Sequence, residues 1–124
     1  MVRAHILIVD DEPGYADMVS MILEQAGYET SAARNGDQAL RQHAERPADL
    51  WLLDIFMPDK DGFEALRELR ARGEQVPVIC VSSSAVKEYL EIAERMGAVG
   101  TLRKPFDPDD LVQLVDRALA TARH

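Results

Sequence analysis

The sequence predicts an α/β fold, a doubly wound five-stranded parallel sheet in (βα)5 order, and three observations predict it. Five short apolar runs alternate with longer segments whose apolar residues recur three or four positions apart. The runs at 5–9, 50–53 and 76–81 are apolar at nearly every position, as expected of strands covered by helices on both faces. Most of the glycines and prolines fall near the ends of these segments, where helices start and stop.

The first strand is His5–Val9. A helix follows with Pro13 in its first turn, where a missing N–H costs nothing, Met18, Ile22, Leu23 and Ala26 on one face, and Gly27 as its stop. The second strand covers 28–33. The second helix covers 37–45, with Asp37 or Asn35 as its cap and Pro47 beyond it. The third strand is 50–53, and Trp51 within it is a core residue. The third helix, Gly62–Ala71, presents Phe63, Leu66 and Leu69 or Arg70 before Gly73. A fourth strand at 76–81 leads to a helix over 85–96 presenting Val86, Leu90, Ala93 and Met96 or Gly97. The fifth strand is 98–102, and the last helix starts near Pro108 and presents Leu111, Leu114, Val115, Ala118 and Leu119.

A chain of 124 residues, 47% hydrophobic and 29% charged, is expected to fold as a single domain over 1–124. No apolar run approaches the ~20 residues that span a bilayer, and the start MVRAHILIVDDEP turns acidic too early for a secretory signal. A soluble, cytoplasmic protein away from membranes is expected. The net charge of −8 argues against direct contact with nucleic acid or anionic lipid. Cys80 is the only cysteine, which excludes a disulfide framework and a cysteine metal site and suits a core filler in a reducing compartment.

Four of the five runs end in a residue with chemistry: HILIV in Asp10-Asp11, LWLL in Asp54, VICV in Ser82 and VGTLR in Lys104. In a parallel sheet these ends share one edge, and in open α/β sheets that carboxyl edge is where ligands bind. Three carboxylates crowded together repel. They exceed the lone ammonium by two charges, which one divalent cation balances. Oxygen donors from Asp11 and Asp54, with Asp10 acting through water, suit Mg2+ or Mn2+ rather than Zn2+. A phosphoryl group carried on a carboxylate and braced by metal, ammonium and hydroxyl is the chemistry this set supports.

Each piece also has an ordinary reading. Paired aspartates cap helices, Asp54 precedes a Met-Pro turn, Ser83 or Ser84 can cap the fourth helix, and Lys104 can be a surface lysine. Their coincidence at the ends of different strands outweighs those readings. His5, His43 and His124 lie too far apart to form a metal set and none falls on this edge, while Phe106 packs under the lysine loop. No Gly-rich phosphate loop of the GxxxxGK or GxGxxG kind is present.

The motifs IVDDEP, LLDIFMPDKDG, PVICVSSSA and GTLRKPF together resemble the receiver domain of two-component response regulators across essentially the whole chain. The resemblance implies a flavodoxin-like receiver fold with strand order 2-1-3-4-5. It implies that Asp54 accepts a phosphoryl group from a sensor histidine kinase or a histidine phosphotransfer protein. Asp11 and Asp54 would bind Mg2+ directly, Asp10 through water, and the Phe56 backbone carbonyl would be a further ligand. Ser82 and Lys104 would contact the phosphoryl oxygens. Pro58, Gly62 and Pro105 would shape loops, Pro105 after a cis peptide bond. Such a domain is a switch rather than an enzyme: it catalyses its own phosphotransfer and dephosphorylation, and the face of the fourth helix, fifth strand and fifth helix then controls a partner or output domain. Phe56 and Ser84 at the family's rate-tuning positions imply slow to moderate self-dephosphorylation.

Two positions depart from the family pattern. Thr101 stands where many relatives carry Tyr or Phe, and Ser83 follows the switch hydroxyl where Ala or Gly is common. On the signalling face Lys87, Glu88, Glu91, Arg95, Asp116 and Arg117 are expected to solvate the surface rather than pair. A dehalogenase-like phosphatase would need a second acid two residues after Asp54, where this chain has Phe56. The alternative function is a receiver-like interaction module acting without phosphorylation.

Overall fold

In the computed structural model, residues 4–56, 62–83 and 87–122 are described. They form β1 (His5–Val9), α1 (Pro13–Gln25), β2 (Glu29–Ala33), α2 (Gly36–Glu45) and β3 (Leu50–Asp54), followed by α3 (Gly62–Ala71), β4 (Val78–Ser82), α4 (Lys87–Arg95), β5 (Gly100–Arg103) and α5 (Pro108–Ala122). The sheet is parallel in the order β2-β1-β3-β4-β5. Its order reverses between β1 and β3, the switch point at which such sheets bind ligands.

Successive strand residues point to opposite faces, so each apolar run feeds two cores. Leu7, Val9, Trp51, Leu53 and Cys80 pack with Ala39 and Leu40 of α2, Leu66 and Leu69 of α3 and Ala93 of α4. Ile6, Ile8, Leu50, Leu52, Ile79 and Val81 pack on the other face with Val19 and Leu23 of α1 and Leu111 and Val115 of α5. Burial pushes the Cys80 thiol to about 12, against the opposing pull of Arg70, so it is the inert core filler expected.

Asn35 caps α2: its extended backbone turns the chain and its Oδ1 accepts the Gln38 N–H at 2.9 Å. On α1 the expected stripe holds at Ile22, Leu23 and Ala26 and fails at Met18. Ala16, Val19 and Leu23 are buried and Ile22 and Ala26 pack beside them, while Met18 is 42% exposed. Tyr28 and Val76 are buried but lie outside the ladders, as do Ala98 and Val99, so β2, β4 and β5 start later than the apolar runs. Ser84, Val86, the Lys87 side chain, Pro58 and His124 lie outside the described residues. Among the described residues no helix is long and apolar enough to cross a membrane.

His43 on α2 is buried and its Nδ1 accepts both the Trp51 indole N–H at 3.0 Å and the Ala48 N–H at 3.1 Å. His5, at the opposite end of the sheet from the strand ends, shares a 2.8 Å hydrogen bond with the Ser31 hydroxyl. Both are structural. Asp116, expected on the solvated signalling face, instead accepts the Tyr28 hydroxyl and ties α5 to the start of β2.

Candidate functional site

Parallel register brings the polar strand ends to one edge. Val9 pairs with Leu53, Asp54 with Val81 and Ser82 with Arg103, so Asp10, Asp54, Ser82 and Lys104 follow one another across four strands. The Asp10 N–H continues the ladder to Ala33 O, and the Lys104 N–H reaches Ser82 O at 2.8 Å. Asp10, Asp54 and Ser82 are all buried.

The two buried aspartates are held in the same way. Asp10 Oδ1 accepts the Glu12 N–H at 3.0 Å, and Asp54 Oδ1 accepts the Phe56 N–H at 3.1 Å, each a short loop closed by its own carboxylate. Their Oδ2 atoms meet at Lys104, whose Nζ donates to Asp10 at 2.8 Å and to Asp54 at 3.3 Å. The Lys104 side chain is 8% exposed. The Lys104–Pro105 peptide is cis, as the resemblance implies.

Gly62 opens α3 against the back of this site. Its N–H donates to Ile55 O at 2.8 Å, and a Cβ there would lie 2.6 Å from both Asp54 O and Ile55 Cα. Only glycine allows the helix to start this close to the strand end.

Burial raises the Asp54 carboxyl to about 6, reinforced by the Asp10 charge and opposed by Lys104 and the Phe56 N–H. Burial alone would lower the Lys104 ammonium, but the hydrogen bonds and charges of Asp10 and Asp54 outweigh it and hold it above its ordinary value. The site thus carries a carboxylate that is costly to ionise beside an ammonium that stays charged.

Asp11 is half-buried and joins the same group: Asp10, Asp11, Glu12 and Asp54 each offer a carboxylate oxygen within 4.8 Å of the others. Glu12 occupies the α1 N-cap without making a side-chain cap bond, and its carboxylate lies 3.9 Å from Lys104. Hard oxygen donors with an excess of negative charge over a single ammonium fit a divalent cation such as Mg2+.

Three contributors escape the sequence reading. Glu12 resembles an ordinary helix-start acid. Tyr15, in the first turn of α1, lies with its ring centroid 4.0 Å from Lys104 Nζ and 5.8 Å from the Phe106 ring, edge to face. Burial raises its hydroxyl's pKa, partly offset by Lys104. Tyr89 of α4 meets the Phe56 ring at 4.8 Å and 81°. No spacing rule in the sequence marks Tyr15 or Tyr89, because each meets its partner from a different element.

The model of the response regulator receiver domain matches residues 6–116. This chain belongs to that family. Receiver domains are phosphoacceptor signalling domains. The regulatory protein AtoC of Escherichia coli is 43% identical over 114 residues, covering 92% of this receiver domain and 25% of AtoC. The nitrogen assimilation regulatory protein NtrX of Azorhizobium caulinodans is 40% identical, covering 95% of this chain and 26% of NtrX. This receiver domain therefore spans about a quarter of the length of those relatives. Sporulation initiation phosphotransferase F of Bacillus subtilis, 33% identical, matches over 96% of both chains. Among solved structures, the receiver domain of NtrX from Brucella abortus superposes with a TM-score of 0.89 at 36% identity, covering 94% of this chain and 98% of that one. A CheY-like receiver domain from Methanospirillum hungatei gives 0.87 at 30% identity, covering 98% and 96%.

Proposed function

We propose that this receiver domain is a phosphorylation-activated switch in which Asp54 accepts a phosphoryl group from a sensor histidine kinase or a histidine phosphotransfer protein. The observation that carries the reading is the meeting of the buried Asp54 carboxylate with the Lys104 ammonium beside an acidic group, all at the carboxyl edge of the switch point. In the transfer, an Asp54 oxygen forms a bond to phosphorus as the bond from phosphorus to the donor imidazole nitrogen breaks, and the electron pair leaves with that nitrogen. Phosphoryl transfer asks a protein mainly for positioning and charge neutralisation.

The Phe56 N–H holds one oxygen of Asp54 and so fixes the rotamer of the nucleophile. Lys104 turns its donors from Asp10 and Asp54 to the arriving phosphoryl oxygens, and the Ser82 hydroxyl contributes a further donor. Asp10, Asp11 and Asp54 with the Phe56 carbonyl would hold Mg2+, or Mn2+, which supplies neutralising charge to the phosphoryl oxygens. The aspartyl phosphate carries about −2 in place of −1 and adds three strong acceptors. Drawing Ser82 and the β4–α4 connection toward them biases the α4-β5-α5 face, which controls a downstream protein or output domain. The reading places the protein in the cytoplasm, without direct nucleic-acid or membrane contact.

The test is intact mass after incubation with acetyl phosphate and Mg2+, beside Asp54→Asn and a metal-free sample. One phosphoryl group on the wild type with Mg2+ alone is expected. No adduct, together with no spectral response to beryllium fluoride, would leave an interaction module that works without phosphorylation.

A further inference from the structure

Besides its carboxylate partners, the Lys104 ammonium has an aromatic one. The N–H groups of Tyr15 and Ala16 both return to the Glu12 carbonyl, at 3.1 and 3.0 Å, so α1 begins directly after the acidic turn and delivers Tyr15 to the site in a fixed register. The ammonium lies over the ring at 4.0 Å, within the range at which a cation is attracted to an aromatic face. The same ring meets Phe106, two residues beyond Lys104, edge to face. Tyr15 therefore touches both the charge and the loop that carries it.

A lysine head is a strongly hydrated point charge on a flexible stem, and its position is set by what surrounds it. Asp10 and Asp54 orient it through its N–H donors. An aromatic face attracts the ammonium without accepting those donors in competition with an oxygen. We propose that Tyr15 is a positioning residue for Lys104, its ring keeping the ammonium in the site while the donors pass from the carboxylates to a phosphoryl group. The proposal rests on the phosphoacceptor reading of Asp54 and assigns the ring, rather than the hydroxyl, as the working part.

The experiment compares phosphorylation rates with acetyl phosphate and Mg2+ for the wild type, Tyr15→Phe and Tyr15→Leu, and for Tyr15→Leu combined with Lys104→Met against Lys104→Met alone. Tyr15→Phe is expected to retain the wild-type rate, and Tyr15→Leu to lose about threefold to tenfold. In the Lys104→Met background the leucine is expected to make no further difference. A wild-type rate in Tyr15→Leu, or an equal loss in both backgrounds, overturns the proposal, because ring packing alone behaves that way. The second arm is independent of any phosphodonor. The Lys104 ε-methylene resonance is expected to be shifted upfield by the ring in the wild type and Tyr15→Phe and to return in Tyr15→Leu. A wild type without that shift also overturns the proposal, whereas a wild type that takes up no phosphoryl group overturns the reading of Asp54 and leaves the ring shift to decide the contact.

Discussion

Lys104 Nζ stands 3.3 Å from Asp54 Oδ2, joining the end of β5 to the end of β3 past the intervening β4. The contact does not fully offset the burial of the carboxylate, which still titrates at about 6. A carboxyl whose folded value is above its unfolded 3.8 favours the folded state when protonated, so its ionised form is a penalty that is fully present above pH 6. As pH falls from 6 toward 3.8 the penalty disappears. Without divalent cations, Asp54→Asn is expected to melt above the wild type at pH 7.5, with the gap narrowing by pH 5 and closing toward pH 3.8. Thermal scans of both proteins across that range check it, and a gap that widens on acidification contradicts it.

Mg2+ acts on the same penalty. A cation that binds only the folded acidic group stabilises by about 1.4 kcal/mol at ten times its dissociation constant. The wild type is expected to gain melting temperature on titration with Mg2+ at pH 7.5, and Asp54→Asn to gain less. Equal gains in the two proteins would show that Asp54 is not a ligand.

Gly62 is read from the sequence as a loop-shaping residue, and the structure gives the reason in distances. A methyl group there meets the backbone of Asp54 and Ile55, which cannot give way as a flexible side chain would. Gly62→Ala is expected to cost about 1–3 kcal/mol of stability, the range of overpacked sites. Because the displaced backbone carries Asp54, phosphorylation by acetyl phosphate should slow as well. Urea denaturation and the phosphorylation rate check the two effects separately.

Phe56 and Tyr89 supply a ring contact between the residue two beyond Asp54 and α4, in a chain where β5 carries Thr101 rather than an aromatic. In Tyr89→Ala, beryllium fluoride is expected to shift amide resonances around Asp54 as in the wild type while those of α4 respond less. An undiminished α4 response would show that the ring pair carries no signal.

The fold and most of the site were legible because both depend on where strands end. Asp10, Asp54 and Lys104 close apolar runs, and a parallel sheet leaves them nowhere to be except one edge. Strand starts were less legible: Tyr28 and Val76 are as apolar and as buried as ladder residues, and composition does not record which buried backbone has a strand neighbour. Tyr15, Tyr89 and Asp116 share another difficulty. Each acts through a side chain that crosses to a different element, Lys104, Phe56 and Tyr28 respectively, and periodicity gives a residue's face on its own element but not its partner.

His43 shows the same limit in the core. With no partner visible in the sequence it reads only as unfit for a metal set, yet one nitrogen satisfies two buried donors, the Trp51 indole and the Ala48 amide. Because Nδ1 accepts both, the ring proton resides on Nε2, which faces Glu74 at 3.5 Å. Replacing the ring with leucine keeps apolar volume and strands both donors, and an unsatisfied buried polar group costs about 1–3 kcal/mol. His43→Leu is therefore expected to lose more stability than a simple loss of one hydrogen bond, and His43→Asn, which keeps an acceptor, to lose less. Urea denaturation of the three proteins checks the order, and 15N spectra of the imidazole check the tautomer. A leucine variant as stable as the wild type would mean that Trp51, on the strand that carries Asp54, needs no acceptor.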